Sequence, residues 1–413
     1  MSRRNFILLI IILIIVVISV FSFFYFRQTP SPGGEDGTIF PSNLNPFGEV
    51  KTVPPKTTPP STDNGNGLPA GEVEKMQLIK VSTMPIAGYT PFQKEKTDKE
   101  FVGALRYVAR ATGQIYQTFT DEIKERRFSS TVIPTIYEAS FGNNGETVVM
   151  RYLKDDDQTI QSFVGILPKE ILGEDSINEK EIRGFLLPDD IVDLSLSPDT
   201  TKIFYLLNTN DKTTGIVLNL KDNKKTQIFD SPFTEWLSFW PNSKIITLNT
   251  KPSGITGGYM YAIDPSKKNL NRVIGNINGL TTLTSPNGNL ILYGDNNLTL
   301  NIHNINTRES TPVGVNTLPE KCVWNSGSSA LYCAVPKIIN GGLYPDSWYR
   351  GEISFSDEIW RINISDGNTT KIIDPSIVSG EEIDGTKLGI DNGENYLFFV
   401  NKKDSYLWEL RLK

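Results

Sequence analysis

Residues 190–229 read DIVDLSLSPDTTKIFYLLNTNDKTTGIVLNLKDNKKTQIF. Four hydrophobic runs, at 190–196, 202–208, 215–220 and 225–229, alternate here with short polar turns. Ser197-Pro-Asp199 separates the first two, and Asp222-Asn223 the last two. Asn and Asp tolerate the left-handed backbone that tight hairpins need, so the stretch predicts four antiparallel strands, a to d. The first turn then recurs along the chain. Its other copies are Phe141-Gly-Asn-Asn-Gly145, Trp240-Pro-Asn242, Ser285-Pro-Asn-Gly288, Trp324-Asn-Ser-Gly327 and Ile390-Asp-Asn-Gly393. Spacings of about 40 to 65 residues between such units mark a β-propeller, with one four-stranded blade per repeat.

Laid on this template, the chain divides into blades at 84–129, 131–188, 190–230, 233–276, 278–315 and 317–375, with a seventh from 385. The seventh ends after Tyr406-Leu-Trp-Glu-Leu-Arg-Leu-Lys413, which reads as strand c, so a strand d is missing. Lys75-Met-Gln-Leu-Ile-Lys-Val-Ser82 precedes the first blade as an orphan strand. Beside strand c it would close the ring and remove an open sheet edge. The expected fold is an all-β, seven-bladed propeller closed by its N-terminal strand.

Strand c carries a second echo, in Ile115-Tyr116, Ile302-His303, Ile359-Trp360 and Leu407-Trp408. With the Ser-Pro-Asp and Ser-Pro-Asn-Gly turns, these dipeptides make residues 75–413 resemble the TolB/WD40-like propellers. The Gly-His and Trp-Asp pairs of eukaryotic WD repeats are missing. The resemblance implies a fold and brings no activity with it.

The N-terminal residues read differently. Residues 6–26 carry no charge, and at ~1.5 Å per residue they would span about 31 Å, the thickness of a bilayer core. Arg3 and Arg4 precede them, while only Arg27 follows closely, before Glu35 and Asp36. That asymmetry predicts a cytoplasmic N-terminus and an extracytoplasmic remainder. A cleaved signal peptide would show a shorter apolar core and a small-residue cleavage site. Residues 28–73 are rich in Pro, Thr, Gly, Asn and Ser, too polar to fold alone, and read as a linker. The expected divisions are an anchor at 1–27, a disordered linker at 28–73 and a propeller at 74–413. Anchor, linker and propeller together resemble membrane-anchored propeller proteins of small-genome bacteria. The phrases Leu105-Arg-Tyr-Val-Ala-Arg-Ala-Thr-Gly113, Glu320-Lys-Cys-Val-Trp324 and Leu331-Tyr-Cys-Ala-Val-Pro336 carry that likeness.

Composition narrows the function. Net charge is −6, the isoelectric point is near 5.2, and no basic block follows the first four residues, which argues against nucleic acid. The single histidine, His303, holds a strand-c position filled elsewhere by Tyr116, Trp360 and Trp408, and reads as structural. A chain with one histidine offers little for a His-based metal site or a Ser-His-Asp triad. Neither a G-x-S-x-G elbow nor a G-x-x-x-x-G-K-[ST] loop occurs, and neither a metal nor a cofactor is expected.

Three groups of residues remain as candidates. A hairpin centred on Gly327-Ser328 would set Cys322 in strand a directly opposite Cys333 in strand b, within disulfide range. Two buried thiols are the alternative. Superimposing the turns places Glu138, Asp193 and Glu320 at equivalent strand-a positions, where they could line an acidic central channel. The longest b–c loop, 337–356, contains Tyr344-Pro-Asp-Ser-Trp-Tyr-Arg350, and strand alternation gathers the b–c loops near 155–158, 211–214 and 251–258 on its face. Trp, Tyr and Arg dominate binding hot spots, so Tyr344, Asp346, Trp348, Tyr349 and Arg350 are the candidate ligand contacts. The expected role is a membrane-anchored scaffold binding a protein, a peptide or a surface glycan. An extracytoplasmic carbohydrate-active enzyme using paired carboxylates, or an envelope assembly factor, is the alternative.

Overall fold

A computed structural model describes residues 78–95, 101–120, 124–168, 181–209 and 211–413. The span at 6–26 and the linker at 28–73 lie outside the described residues. Among the described residues, no helix is long and apolar enough to cross a membrane.

Seven antiparallel four-stranded sheets follow one another along the chain. Blades 1 to 6 occupy 86–127, 136–186, 191–231, 236–278, 281–316 and 322–373. Blade 7 takes three strands from 385–411 and its fourth from Leu78–Lys80. There Leu78 lies opposite Leu410 and Lys80 opposite Trp408, so the N-terminal strand closes the ring as expected. The four strand-c dipeptides all fall in strand c.

Strand b explains why the sequence shows unbroken apolar runs. It lies inside a sheet whose two faces both meet another blade, so both of its faces are covered. Ile203, Phe204, Tyr205 and Leu206 are all fully buried in blade 3, as are Leu397, Phe398 and Phe399 in blade 7. Each junction between neighbouring blades holds its own apolar cluster. Between blades 3 and 4, Phe204 and Leu206 pack on Trp236 and Trp240. Between blades 6 and 7, Ile359 packs with Phe399 and Trp408. At the hub the backbones come closer still. A Cβ on Gly88 in blade 1 would fall 1.8 Å from the carbonyl oxygen of Ala139 in blade 2.

The a–b turns repeat because the same side chain holds them. The Ser197 hydroxyl donates to Asp199 at 2.5 Å and accepts from the Lys202 N–H at 3.0 Å. Ser285 does the same with Asn287 and Leu290, at 2.8 and 3.1 Å. In blade 6, Asn325 takes over the role, accepting from the Ser329 and Ala330 N–H groups. Cys322 and Cys333 pair in register and are joined by a disulfide, their Cα atoms 4.1 Å apart.

One b–c loop differs from the reading. Residues 211–214 were expected to form a loop, but strand c of blade 3 already begins at Lys212 and pairs with Thr209. Asp211 takes a φ of 63°, the left-handed geometry that tight hairpins use. Blade 3 therefore adds no loop to that face.

Candidate functional site

The 337–356 loop folds back onto the propeller. Its short helix, α1 (Asp346–Tyr349), sets Trp348 inward. Tyr344 is 3% exposed and Trp348 4%, packed with Phe355, Leu298 and Leu318 in a cluster of their own. The Trp348 indole N–H donates to Asp384 of blade 7, 3.0 Å from Oδ2. Asp346 accepts from the Gly254 N–H at 2.7 Å, tying the loop to the neighbouring b–c loop of blade 4. Tyr349, 42% exposed, and Arg350 reach the surface, and Asp346 is half-buried. The Tyr349 hydroxyl donates to Glu320, and Arg350 pairs with Glu352 at 2.7 Å. The five candidates are neighbours, yet their two most apolar members build a plug rather than a contact surface.

The three candidate acids are each already engaged. Glu138 pairs with Arg151 at 2.7 Å, and Arg151 also donates to the Ile191 carbonyl of blade 3 at 2.6 Å. Asp193 accepts from the N–H and hydroxyl of Ser238 in blade 4, at 2.6 and 2.7 Å. Burial pushes the Asp193 carboxyl up to about 6 despite those bonds. Glu320 sits on a 3-10 turn, Pro319–Lys321, just before strand a instead of within it. Burial raises its carboxyl too. Lys387, in strand a of blade 7, donates to the Ala87 carbonyl at 2.9 Å. Burial lowers its ammonium while the Glu138 charge opposes that shift. Arg151 and Lys387 thus give this region mixed charge in place of the expected acidic character. No group of three or more His, Cys, Asp or Glu side chains suited to a metal occurs among the described residues.

His303 is a strand residue, as read. Its Nδ1 lies 3.0 Å from the Ser310 hydroxyl, and burial lowers its pKa.

Three clefts lie on the opposite face, among the a–b and c–d turns. One cleft of about 570 Å³ runs between blades 3 and 4. Val217, Ile228, Trp240 and four prolines (198, 241, 265 and 286) line it, with Lys202 and Lys224 at its edge. Two further clefts on this face, of about 350 and 430 Å³, lie between blades 7 and 1 and between blades 6 and 7. Each of the three is lined by a single carboxylate: Asp199, Asp391 or Glu394. All three already accept hydrogen bonds, Asp199 from the Thr201 hydroxyl, Asp391 from the Tyr396 N–H and Glu394 from the Tyr332 hydroxyl.

Trp240 is the residue that distinguishes the first cleft. Trp324 opens the equivalent turn of blade 6, and its indole N–H donates to the Leu283 carbonyl of the preceding blade at 3.1 Å. Trp240 is 5% exposed, but its Nε1 has no acceptor. The sequence did contain the signal: Trp240-Pro-Asn242 was visible as a turn, but nothing marked its tryptophan as a cleft wall.

No family model and no curated protein matches the chain. Among solved structures, it is similar to an oligogalacturonate lyase from Vibrio parahaemolyticus, at 10% identity and a TM-score of 0.47, covering 82% of this chain and 99% of that one. It is also similar to an oligogalacturonate lyase in complex with manganese, at 9% identity and a TM-score of 0.47, covering 82% and 98%. At such identity no residue of this chain takes a role from either structure.

Proposed function

We propose that the protein is a binding module, anchored in the cell membrane through residues 6–26, that holds an extended segment of a partner protein in the cleft between blades 3 and 4. The supporting observation is the lining of that cleft, where four prolines, Val217 and Ile228 stand beside the buried Trp240 ring. Apolar grooves walled by prolines and a flat ring suit extended polyproline-type peptides, which enter with little ordering cost. Lys202 and Lys224 favour an acidic residue beside the apolar segment. A glycosidase would need two carboxyls about 5 Å or 6.5–9.5 Å apart in one cleft. The single, already bound carboxylate of each cleft favours binding over that chemistry.

The test is an immobilised array of proline-containing acidic peptides probed with the full chain. Capture of a sequence-related subset is expected. Lys224→Glu reverses a charge at the edge of the cleft and should weaken capture about tenfold, about 1.4 kcal/mol. Capture that is unchanged in both Val217→Asp and Lys224→Glu would sink the assignment to this cleft.

A further inference from the structure

Beneath the 337–356 loop lies a fully enclosed charged cluster. Lys321 is 0% exposed, and so are the side chains of its partners Asp357 and Asp384. The Lys321 Nζ donates to Asp384 Oδ1 at 2.5 Å, to Asp357 Oδ2 at 2.7 Å and to the Gly385 carbonyl at 3.0 Å. The rings of Trp348 and Phe355 stand 5.4 and 5.3 Å from the ammonium. One cation and two anions so enclosed leave an excess negative charge in an apolar shell, a costly arrangement.

The two carboxyls differ. Asp384 Oδ2 accepts from the Trp348 indole at 3.0 Å, the Ser354 hydroxyl at 3.1 Å and the Phe355 N–H at 3.1 Å. Donors converging on one carboxyl oxygen are what a tetrahedral oxyanion requires. Asp357 Oδ2 accepts from the Gly385 N–H at 2.7 Å, while its Oδ1 is buried with no partner. Burial pushes the Asp357 carboxyl up to about 6, which suits a group that takes and returns a proton near neutrality.

From this geometry we propose that Lys321 and Asp384 condense into an intramolecular amide, with Asp357 carrying the proton. Asp357 accepts a proton from the Lys321 ammonium and hands it to Asp384 Oδ1, so that a neutral amine faces a neutral carboxylic acid. The Nζ–Cγ bond forms, and the oxyanion is held by Trp348, Ser354 and Phe355. Two protons leave Nζ in all. Both end on the departing Asp384 oxygen, one of them through Asp357, and that oxygen leaves as water. No oxidant or cofactor is consumed, and the product removes one positive and one negative charge from the interior. Enclosure fixes the reacting groups together, which supplies the effective concentration such a condensation needs.

Mass spectrometry of the full chain, denatured and reduced, decides the matter. The expected result is a mass one water below that of the sequence, with trypsin failing to cut after Lys321 and a branched peptide joining Lys321 to Asp384. Asp357→Asn, which keeps the side-chain volume, should return the full mass and restore cleavage. A wild-type chain at full mass that is cut after Lys321 overturns the proposal whether or not the variant folds, and so does a condensed Asp357→Asn chain.

Discussion

Trp348 shows how far a residue's role depends on a partner remote in sequence. Trp348, Tyr349 and Arg350 have the composition of a contact surface, and nothing nearby announces that an aspartate 36 residues later will draw the indole inward. Partners of this kind come from blade geometry, which the local pattern does not encode. The same holds for Glu409. It stands in strand c of blade 7 and is only 2% exposed, which the pattern around it does not announce. Burial pushes Glu409 from 4.5 up to about 8. The folded form therefore keeps a proton that the unfolded chain has released. Stability is fully present below pH 4.5, falls as pH rises toward 8, and is level beyond. Glu409→Gln abolishes that slope. Relative to the parent, it should be more stable by about 1–3 kcal/mol at pH 8 and no more stable at pH 4. Urea denaturation at the two pH values measures this, and an equal gain at both would assign the effect to packing.

Strands and turns were the most legible level. The apolar runs have one buried environment and the turns one repeated hydrogen-bond pattern, so strand order and the opposition of Cys322 to Cys333 could be read by register alone. The 11-residue separation of that bridge, across a pair already closed by the sheet, limits its effect. Replacing both cysteines by Ser should cost about 2 kcal/mol, the low end for disulfides, in denaturant unfolding. The approach of the hub strands was not legible, because it depends on how tightly the ring draws in. Gly88→Ala must push its methyl against the Ala139 carbonyl. We expect a loss of about 3 kcal/mol or more in thermal unfolding. A near-neutral result would mean that the two blades can part at the hub at little cost.

At the scale of the whole molecule, the count of seven and the closing strand were readable because every blade takes four strands, so a last blade with only three calls for a fourth from elsewhere in the chain. Where these clefts lie was not. The sequence advertises the long b–c loop, but a long loop can fill a face as easily as decorate it, and here it does so through its own apolar cluster. The clefts arise where short turns leave adjacent blades splayed, and short turns carry no message about the gap between them. Removing residues 78–83 should expose the edge of strand c in blade 7 together with the pocket of Val81, at a cost of about 2–4 kcal/mol. Equal melting temperatures with and without this segment would refute the closure argument. The closing strand also has a mechanical meaning. Leu78–Lys80 is a ladder of three residues, and it lies where the chain from the N-terminal side enters the ring. A pull arriving from that side would load this seam before any other. The seam would act as a fuse, letting one blade edge open under tension while the other six blades keep their shape.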